Sequence, residues 1–304
     1  MMDFATALPA PPRYFPLRHG RYDVAPGLNR FGKELGGADA DMKVFQLDRT
    51  FNRFHDCKLV TRASAPQRHF LTARLRDAVA LEVARFIAAR LVAEHPSWFR
   101  MGPGDRLHCA LTGASIRIDA AAFDPLAMQV QEDLAIVSIE GDRHWLSAAH
   151  VCFPNGWAPE EKIGQSFAAL HEPVAGMEEM NRRGSQFADI MVNAVDGLVR
   201  FAWGVTFDDR LNHHPALPRT PFDPANPRAF LRVERQTVWG FPQRGSALFT
   251  IRTYLHDCAE LRREADTREP LIAALRSMSP ASRGYKGLAD AFDGLVGWLA
   301  GGAG

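Results

Sequence analysis

Residues 144–176 read HWLSAAHVCFPNGWAPEEKIGQSFAALHEPVAG, and this stretch decides how the rest of the chain is interpreted. Its first ten residues are apolar and extended in character, and a Pro-Asn-Gly turn signal follows them. A helix is predicted over 159–171, because a proline and two glutamates suit its first turn. Phe167 and Leu170 share one face of this helix, and the proline at position 173 ends it.

His171 lies four residues beyond Phe167 and therefore shares the apolar face of the predicted helix. An inward imidazole at the end of a short amphipathic helix would suit a ligand of a flat apolar cofactor such as haem. The alternative is a core histidine that is satisfied by one backbone carbonyl, and on spacing alone this is the commoner case. Both interpretations stay open at this point.

The bulk composition favours one elaborated domain over 1–304, with enough apolar residues for a large core. The chain has 36 basic and 35 acidic residues, and a net charge of +1 argues against a nucleic-acid-binding surface. No stretch approaches the roughly 18 apolar residues of a membrane span. The N-terminus lacks the apolar region of a signal peptide, so a cytoplasmic location is expected.

Four cysteines are scattered along the chain, at Cys57, Cys109, Cys152 and Cys258. The absence of a CxxC pair argues against a structural zinc site or a cysteine-bound iron–sulfur cluster. Cys109 and Cys152 lie among apolar residues and are predicted to be small buried side chains. Lys58, in a mixed charged stretch, is interpreted as a solvated lysine, with a salt-bridge partner as the alternative.

Two long hairpins are predicted, one from 134–139 and 144–153 and the other from 229–239 and 246–256, besides a short hairpin over 106–119 around Thr112-Gly113. The other predicted elements are a helix over 68–94, a helix over 177–195, a strand over 198–207, a loop over 208–228 and helices at about 257–278 and 285–299.

The second hairpin has an unusually polar pattern, because Arg232, Glu234 and a glutamine alternate along one strand face. Such a face is either solvated or lines a polar pocket. If it is buried, its charges must be paired, so that Glu234 is expected to contact Arg232 or Arg252.

The order of elements indicates an α+β fold with an antiparallel sheet and helices packed around it. Five strands with short helices between the second and the third would resemble the PAS-type sensor fold, which holds planar cofactors. The PAS-like core is expected over about 106–256, with an N-terminal arm and helix over 1–105 and additional C-terminal helices over 257–304. The motifs GxGxxG, GxxxxGK[ST], GxSxG and HExxH are absent.

Three blocks, at 150–176, 201–209 and 231–256, resemble the haem-dependent oxidative N-demethylase family. The VERQT and FTIRTY sequences of the third block are the most specific parts of the resemblance. It implies a PAS-like haem b protein that uses dioxygen, with electrons from a flavin and iron–sulfur reductase. The implied reaction is a monooxygenase-type N-demethylation of a small alkylamine, which releases formaldehyde. A PAS-like haem-binding or sensor protein without turnover is the alternative.

By this resemblance, His171 is expected to be the axial ligand of the haem iron, with His150 as the alternative ligand. Trp203 and Arg235 are expected to contact the cofactor. The family usually has Asn at the position of Ala202, so a side-chain amide near the pocket is replaced here by a methyl group.

Three residues of the second hairpin are candidates for the catalytic machinery. Glu234 would be the anionic partner of an alkylammonium group. Arg252 would orient Glu234 or meet a haem propionate, and Tyr254 would donate a hydrogen bond above the iron.

Overall fold

The structure is a computed structural model that describes residues 7–24 and 27–301. It contains two antiparallel sheets. The strands are β1 (Asn29–Arg30), β2 (Phe70–Thr72), β3 (Phe99–Gly102), β4 (Arg106–Cys109), β5 (Ser115–Arg117), β6 (Glu132–Glu140), β7 (Arg143–His150), β8 (Leu198–Thr206), β9 (Phe230–Phe241) and β10 (Ser246–Asp257).

Helices pack around the sheets. They are α1 (Phe51–Ser64), α2 (Pro66–His69), α3 (Asp77–Glu94), α4 (Phe123–Ala127), α5 (Pro159–Lys162), α6 (Phe167–His171), α7 (Glu178–Arg182), α8 (Gly184–Val192), α9 (Cys258–Leu261), α10 (Ala265–Arg276), α11 (Pro280–Tyr285) and α12 (Phe292–Ala300). Short 3₁₀ helices cover Ala38–Met42 and Pro242–Arg244. Within the described residues, none of the helices combines the length and the apolar composition that a membrane span needs.

The large sheet has seven strands in the order β1-β8-β9-β10-β6-β7-β2, and β3-β4-β5 form the small one. The predicted α+β class is therefore confirmed, as is the antiparallel character of the sheet. Five strands, β6 to β10, are adjacent in the large sheet. The short helices α5 to α8 connect the second of these strands to the third.

Both long hairpins and the short one are confirmed, the short one by the antiparallel pairing of β4 with β5. β9 and β10 pair along their whole length, with Arg252 opposite Arg235 and Thr253 opposite Glu234. β6 and β7 also pair, but their register shifts between Ile136 and Val137. This β-bulge leaves one residue of β7, Ser147, without a partner across the pair.

The helix predicted over 68–94 is wrong in its first part. Phe70 to Thr72 instead form β2, which pairs with the end of β7. Arg74 has a left-handed φ of 51°, which a right-handed helix cannot contain. The helix therefore begins at Asp77, and its apolar stripe is buried only from that point on.

The helices predicted over 159–171 and 177–195 are each two shorter helices. Gly164 takes a φ of 78°, which ends the first segment and favours glycine. Ser166 then caps α6, because its side-chain oxygen accepts a hydrogen bond from the backbone N–H of Ala169. The break between α7 and α8 falls at Arg183.

Most of the core lies on one face of the large sheet. The stripe of α3 packs against apolar side chains of β6 and β10, and α10 and α12 pack against those of β8 to β10. Trp239 belongs to this face, where its ring packs on Phe31 and Phe86. The other face is covered mainly by the short helices α6 to α8.

Gly240 holds α8 against the sheet. Its N–H donates to the carbonyl of Ala194, just beyond the helix, at 2.9 Å. A Cβ at this glycine would lie 2.2 Å from the carbonyl oxygen of Val192, closer than any real contact. The end of α8 can therefore approach the sheet only because position 240 has no side chain.

Gly240→Ala is expected to lower the free energy of unfolding by about 1–3 kcal/mol, because backbone atoms must move apart to admit the methyl group. Urea unfolding followed by circular dichroism measures the effect. Gly284→Ala is the matched control, since nothing lies within 4 Å of its Cβ position in α11. Equal stability of the two variants would show that α8 is not held at this distance.

Candidate functional site

A cavity of about 460 Å³ lies between the large sheet and the short helices, a volume typical of cofactor and ligand pockets. Its walls are largely apolar. The sheet contributes Ala135, Val137, Leu146, Ala149, Val151, Phe249 and Ile251, and the helices contribute Phe167, Leu170, Met177, Met180, Phe187 and Met191. Flat aromatic and flexible methionine side chains make this a surface for a flat apolar ligand.

His171, at the end of α6, lines this cavity. Its Nδ1 is hydrogen-bonded to the carbonyl oxygen of Phe167 at 2.8 Å, one turn back along the helix. Burial lowers the pKa of His171, so the ring is neutral near pH 7. With Nδ1–H donating to a carbonyl, the lone pair is on Nε2, as in a metal-ligating imidazole. Among the described residues, no protein group bonds Nε2.

Glu234 and Gln236 form a polar strip on the sheet wall of the cavity. The Glu234 carboxylate accepts from Arg232 Nε at 3.2 Å and from Gln236 Nε2 at 3.2 Å. The expected Glu234–Arg232 contact is therefore made. A carboxylate has about four lone-pair positions, so Glu234 can accept further donors from the cavity.

Two further cations, Arg200 and Lys286, line the cavity near Glu234. Burial lowers the pKa of each, and the Glu234 carboxylate opposes this effect. Arg200 Nε is buried and has no hydrogen-bond partner among the described residues. Asp23 is a second lining carboxylate near Arg200, but the unpartnered Nε of Arg200 can still bond an anionic group of a ligand.

Trp203 lines the edge of the cavity and packs edge-on against Tyr22, with ring centroids 5.4 Å apart. Ala202 lies directly opposite Glu234 in the β8–β9 pair. Its small side chain leaves space in front of the carboxylate. Of the residues predicted from the sequence, the structure brings His171, Trp203 and Glu234 together at one cavity.

Arg252 and Tyr254 lie on the opposite face of the sheet, which differs from their predicted place in the pocket. Arg252 donates to Asp48 at 2.6 Å, and the Tyr254 hydroxyl donates to the side-chain oxygen of Gln46. The reason is the period of two along β10, which turns these side chains away from the face of Glu234. No Glu234–Arg252 ion pair occurs among the residues that the structure describes.

Arg235 and His150 are also away from the cavity lining. Arg235 is buried on the face of Arg252, where its Nη2 donates to the carbonyl of Asp41 at 3.4 Å. His150 pairs with Leu134, a residue of the core on that same face. Between the two candidate histidines, only His171 reaches the cavity.

Arg200, Gln236 and Lys286 are cavity residues that sequence analysis did not select. The strand alternation gave a signal for Gln236, which shares a face with Glu234. Arg200 pairs opposite Gln236, but strand pairing could not be read from β8 alone. Lys286 follows a short helix far along the chain and carries no local signal.

Comparison with known families gives one match to a family model. The model is described as "Haem-dependent oxidative N-demethylase, alpha subunit-like", and it matches residues 38–295. The matched range spans most of the chain and includes His171, Glu234 and Lys286.

The network behind the sheet gives a prediction about pH. Glu132 is fully buried, and burial raises its pKa from 4.5 to about 7, with Arg252 and Lys58 opposing the shift. Between pH 4.5 and about 7, the Glu132 carboxyl therefore keeps its proton in the folded protein but has lost it in the unfolded chain. The free energy of unfolding should fall as the pH rises through this window, by on the order of 3 kcal/mol.

Glu132→Gln should remove this part of the pH dependence. The side-chain amide oxygen of the variant can still accept from the backbone N–H of Gln46, which lies 2.8 Å from the carboxylate of Glu132. Thermal unfolding midpoints from pH 5 to pH 8 test this. Glu140→Gln, at the exposed end of the same strand, is the control. Parallel pH profiles for the wild type and Glu132→Gln would contradict the assignment.

Proposed function

The chain belongs to the haem-dependent oxidative N-demethylase, alpha subunit-like family, and from this membership we propose that it binds haem b and oxidatively N-demethylates a small alkylamine. The observation that carries the proposal is that His171 lines an apolar cavity and uses Nδ1 to bond a backbone carbonyl, which leaves Nε2 for a ligand. A PAS-like core is part of the proposal. Its support is the adjacency of β6 to β10 and the short helices that follow β7.

The residues present fit a haem. His171 would ligate the iron, and the apolar walls would enclose the ring. Arg200 and Lys286 would take up the haem carboxylates, since both are half-buried cations of the cavity lining and Arg200 Nε has no hydrogen-bond partner among the described residues. An anionic group there would relieve the cost of burying these charges.

Bound haem would supply the reductive activation of dioxygen. In the overall reaction, an N-methylamine, dioxygen, two electrons and two protons give the demethylated amine, formaldehyde and water. One oxygen atom enters formaldehyde and the other leaves as water. A partner reductase of the flavin and iron–sulfur type would supply the electrons, and the words "alpha subunit" in the family description support a partner component.

Glu234 would hold the substrate as its ammonium form. Its carboxylate faces the cavity, and the open space beside Ala202 leaves room for a small alkyl group. A charged hydrogen bond from an ammonium to a carboxylate contributes about 1.5–3 kcal/mol. The apolar walls would exclude water and leave this contact strong.

His171→Ala is expected to lose the ligated haem spectrum, because no other described histidine lines the cavity. Titration of the purified protein with hemin, followed by the Soret band, measures this. His108→Phe, in β4 of the small sheet and outside the cavity lining, is the control and should keep the wild-type spectrum. A normal spectrum in His171→Ala would assign the ligand elsewhere, and no Soret band in the wild type would refute haem binding.

Glu234→Gln should raise the KM for dimethylamine at least tenfold, while the Soret band stays close to that of the wild type. Formaldehyde release with a surrogate reductase is the assay. Glu161→Gln, an acidic residue of the cavity lining carried by α5, should change KM little. A wild-type protein that binds haem but releases no formaldehyde would be a haem-binding or sensor protein instead of an enzyme.

A further inference from the structure

We propose that Asp133, His150 and Cys152 form a second site, which binds a divalent metal ion of the zinc type. The site goes beyond the proposed haem function, since none of the three residues belongs to the cavity lining. A carboxylate, an imidazole and a thiol are the three ligand types that Zn²⁺ takes in proteins.

The three donor atoms lie within 4.8 Å of one another, and all three residues are buried. Donors of a tetrahedral zinc site are about 3.3–3.8 Å apart, given bond lengths of about 2.0–2.3 Å. Small side-chain rotations therefore bring them to binding distance. The fold assembles the set from the start of β6 and from the end of β7 and the residues beyond it, which explains why no CxxC motif marks it.

The environment of His150 is the observation that points to a metal ion. Its ring is completely buried, and both ring nitrogens lack a hydrogen-bond partner among the described residues. Asp124 Oδ1 lies 3.4 Å from His150 Nε2, yet neither atom makes a hydrogen bond. Buried polar atoms are nearly always satisfied, so an imidazole left without a partner indicates an absent metal ion or water.

Asp133 is held in place for ligation. Its two carboxylate oxygens accept the backbone N–H groups of Cys152 at 2.8 Å and Phe153 at 2.9 Å. Such outer contacts fix the orientation of a ligating carboxylate and leave further lone pairs for an ion. They also tie the carboxylate to the same short segment that carries the thiol.

The charges of the site are compatible with a divalent cation. Metal binding would break the S–H bond of Cys152 and release its proton to solvent as the sulfur–metal bond forms. The negative charges of the thiolate and the Asp133 carboxylate then neutralise the charge of the divalent ion. The nearby Lys58 therefore lies beside a cluster without net charge. Lys58 itself donates to the carbonyl oxygens of Ala127 and Glu132, at 2.7 and 2.5 Å.

The position of the site indicates a structural role. Val151, between His150 and Cys152, lines the cavity, and the chain then leaves the sheet toward α5 and α6. A metal ion here would fasten the start of the segment that carries His171. It would do so without contact with the cavity.

The test is the zinc content of the haem-loaded full chain. The protein is produced in medium with added zinc and then passed through a desalting column. Mass spectrometry of the metals is expected to find about one zinc per chain, counted separately from iron. X-ray absorption at the zinc edge should show one sulfur neighbour at about 2.3 Å and nitrogen or oxygen neighbours at about 2.0 Å. No retained zinc, or zinc without a sulfur neighbour, would overturn the proposal.

Cys152→Ala and His150→Phe should each lower the zinc content at least tenfold. Cys258→Ala, a fully buried cysteine at another site, is the matched control and should keep its zinc. Full zinc content in Cys152→Ala, or an equal loss in the control, would count against these ligands. The absorption spectrum of the wild type decides the question even if a variant fails to fold. The haem proposal is tested by the iron content and the Soret band, whereas this proposal is tested by the zinc content. Either proposal can therefore fail alone.

Discussion

The burial of two arginines on the β9–β10 hairpin, Arg232 and Arg252, is the constraint on which the rest of the structure depends. Arg232 and Arg252 are at most 1% exposed, and an unpaired buried charge costs several kcal/mol. Arg252 is paired with Asp48, and Arg232 donates to the carbonyls of Phe153 and Leu211. These partners come from three distant parts of the chain. Pairing these two buried guanidinium groups therefore fixes the segment before α1, the segment after β7 and the long loop after β8.

This constraint divides the sheet into two faces with different functions. One face carries the dense core and the paired network around Arg252. The other face carries Arg232, which is fixed by its carbonyl partners and Glu234, and Arg200, which lines the cavity. It is covered by short helices and leaves a cavity. The stability of the protein and its chemistry are thus largely assigned to opposite sides of one sheet.

Much of this arrangement could be predicted from the sequence, because it depends on local periodicity. The period of two gave both hairpins, and the apolar face of residues 163–171 placed His171 inward. The relation of Glu234 to Arg252 could not be predicted, because it depends on the register of β9 against β10. Lys58 was also interpreted wrongly. Its side chain is fully buried, because two backbone carbonyls accept hydrogen bonds from its ammonium group. The positions of such carbonyls cannot be deduced from a sequence.

The β-bulge in β7 has a consequence for which histidine faces the cavity. Leu146 and Ala149 both line the cavity although they are three residues apart, because the extra residue, Ser147, reverses the alternation of the strand. In an unbroken strand, positions 146, 148 and 150 would share a face, and His150 would point at the same space as His171. One inserted residue therefore separates two imidazoles that would otherwise compete for the same partner. Each histidine is left with its own environment, one apolar and open, the other enclosed beside a carboxylate and a thiol.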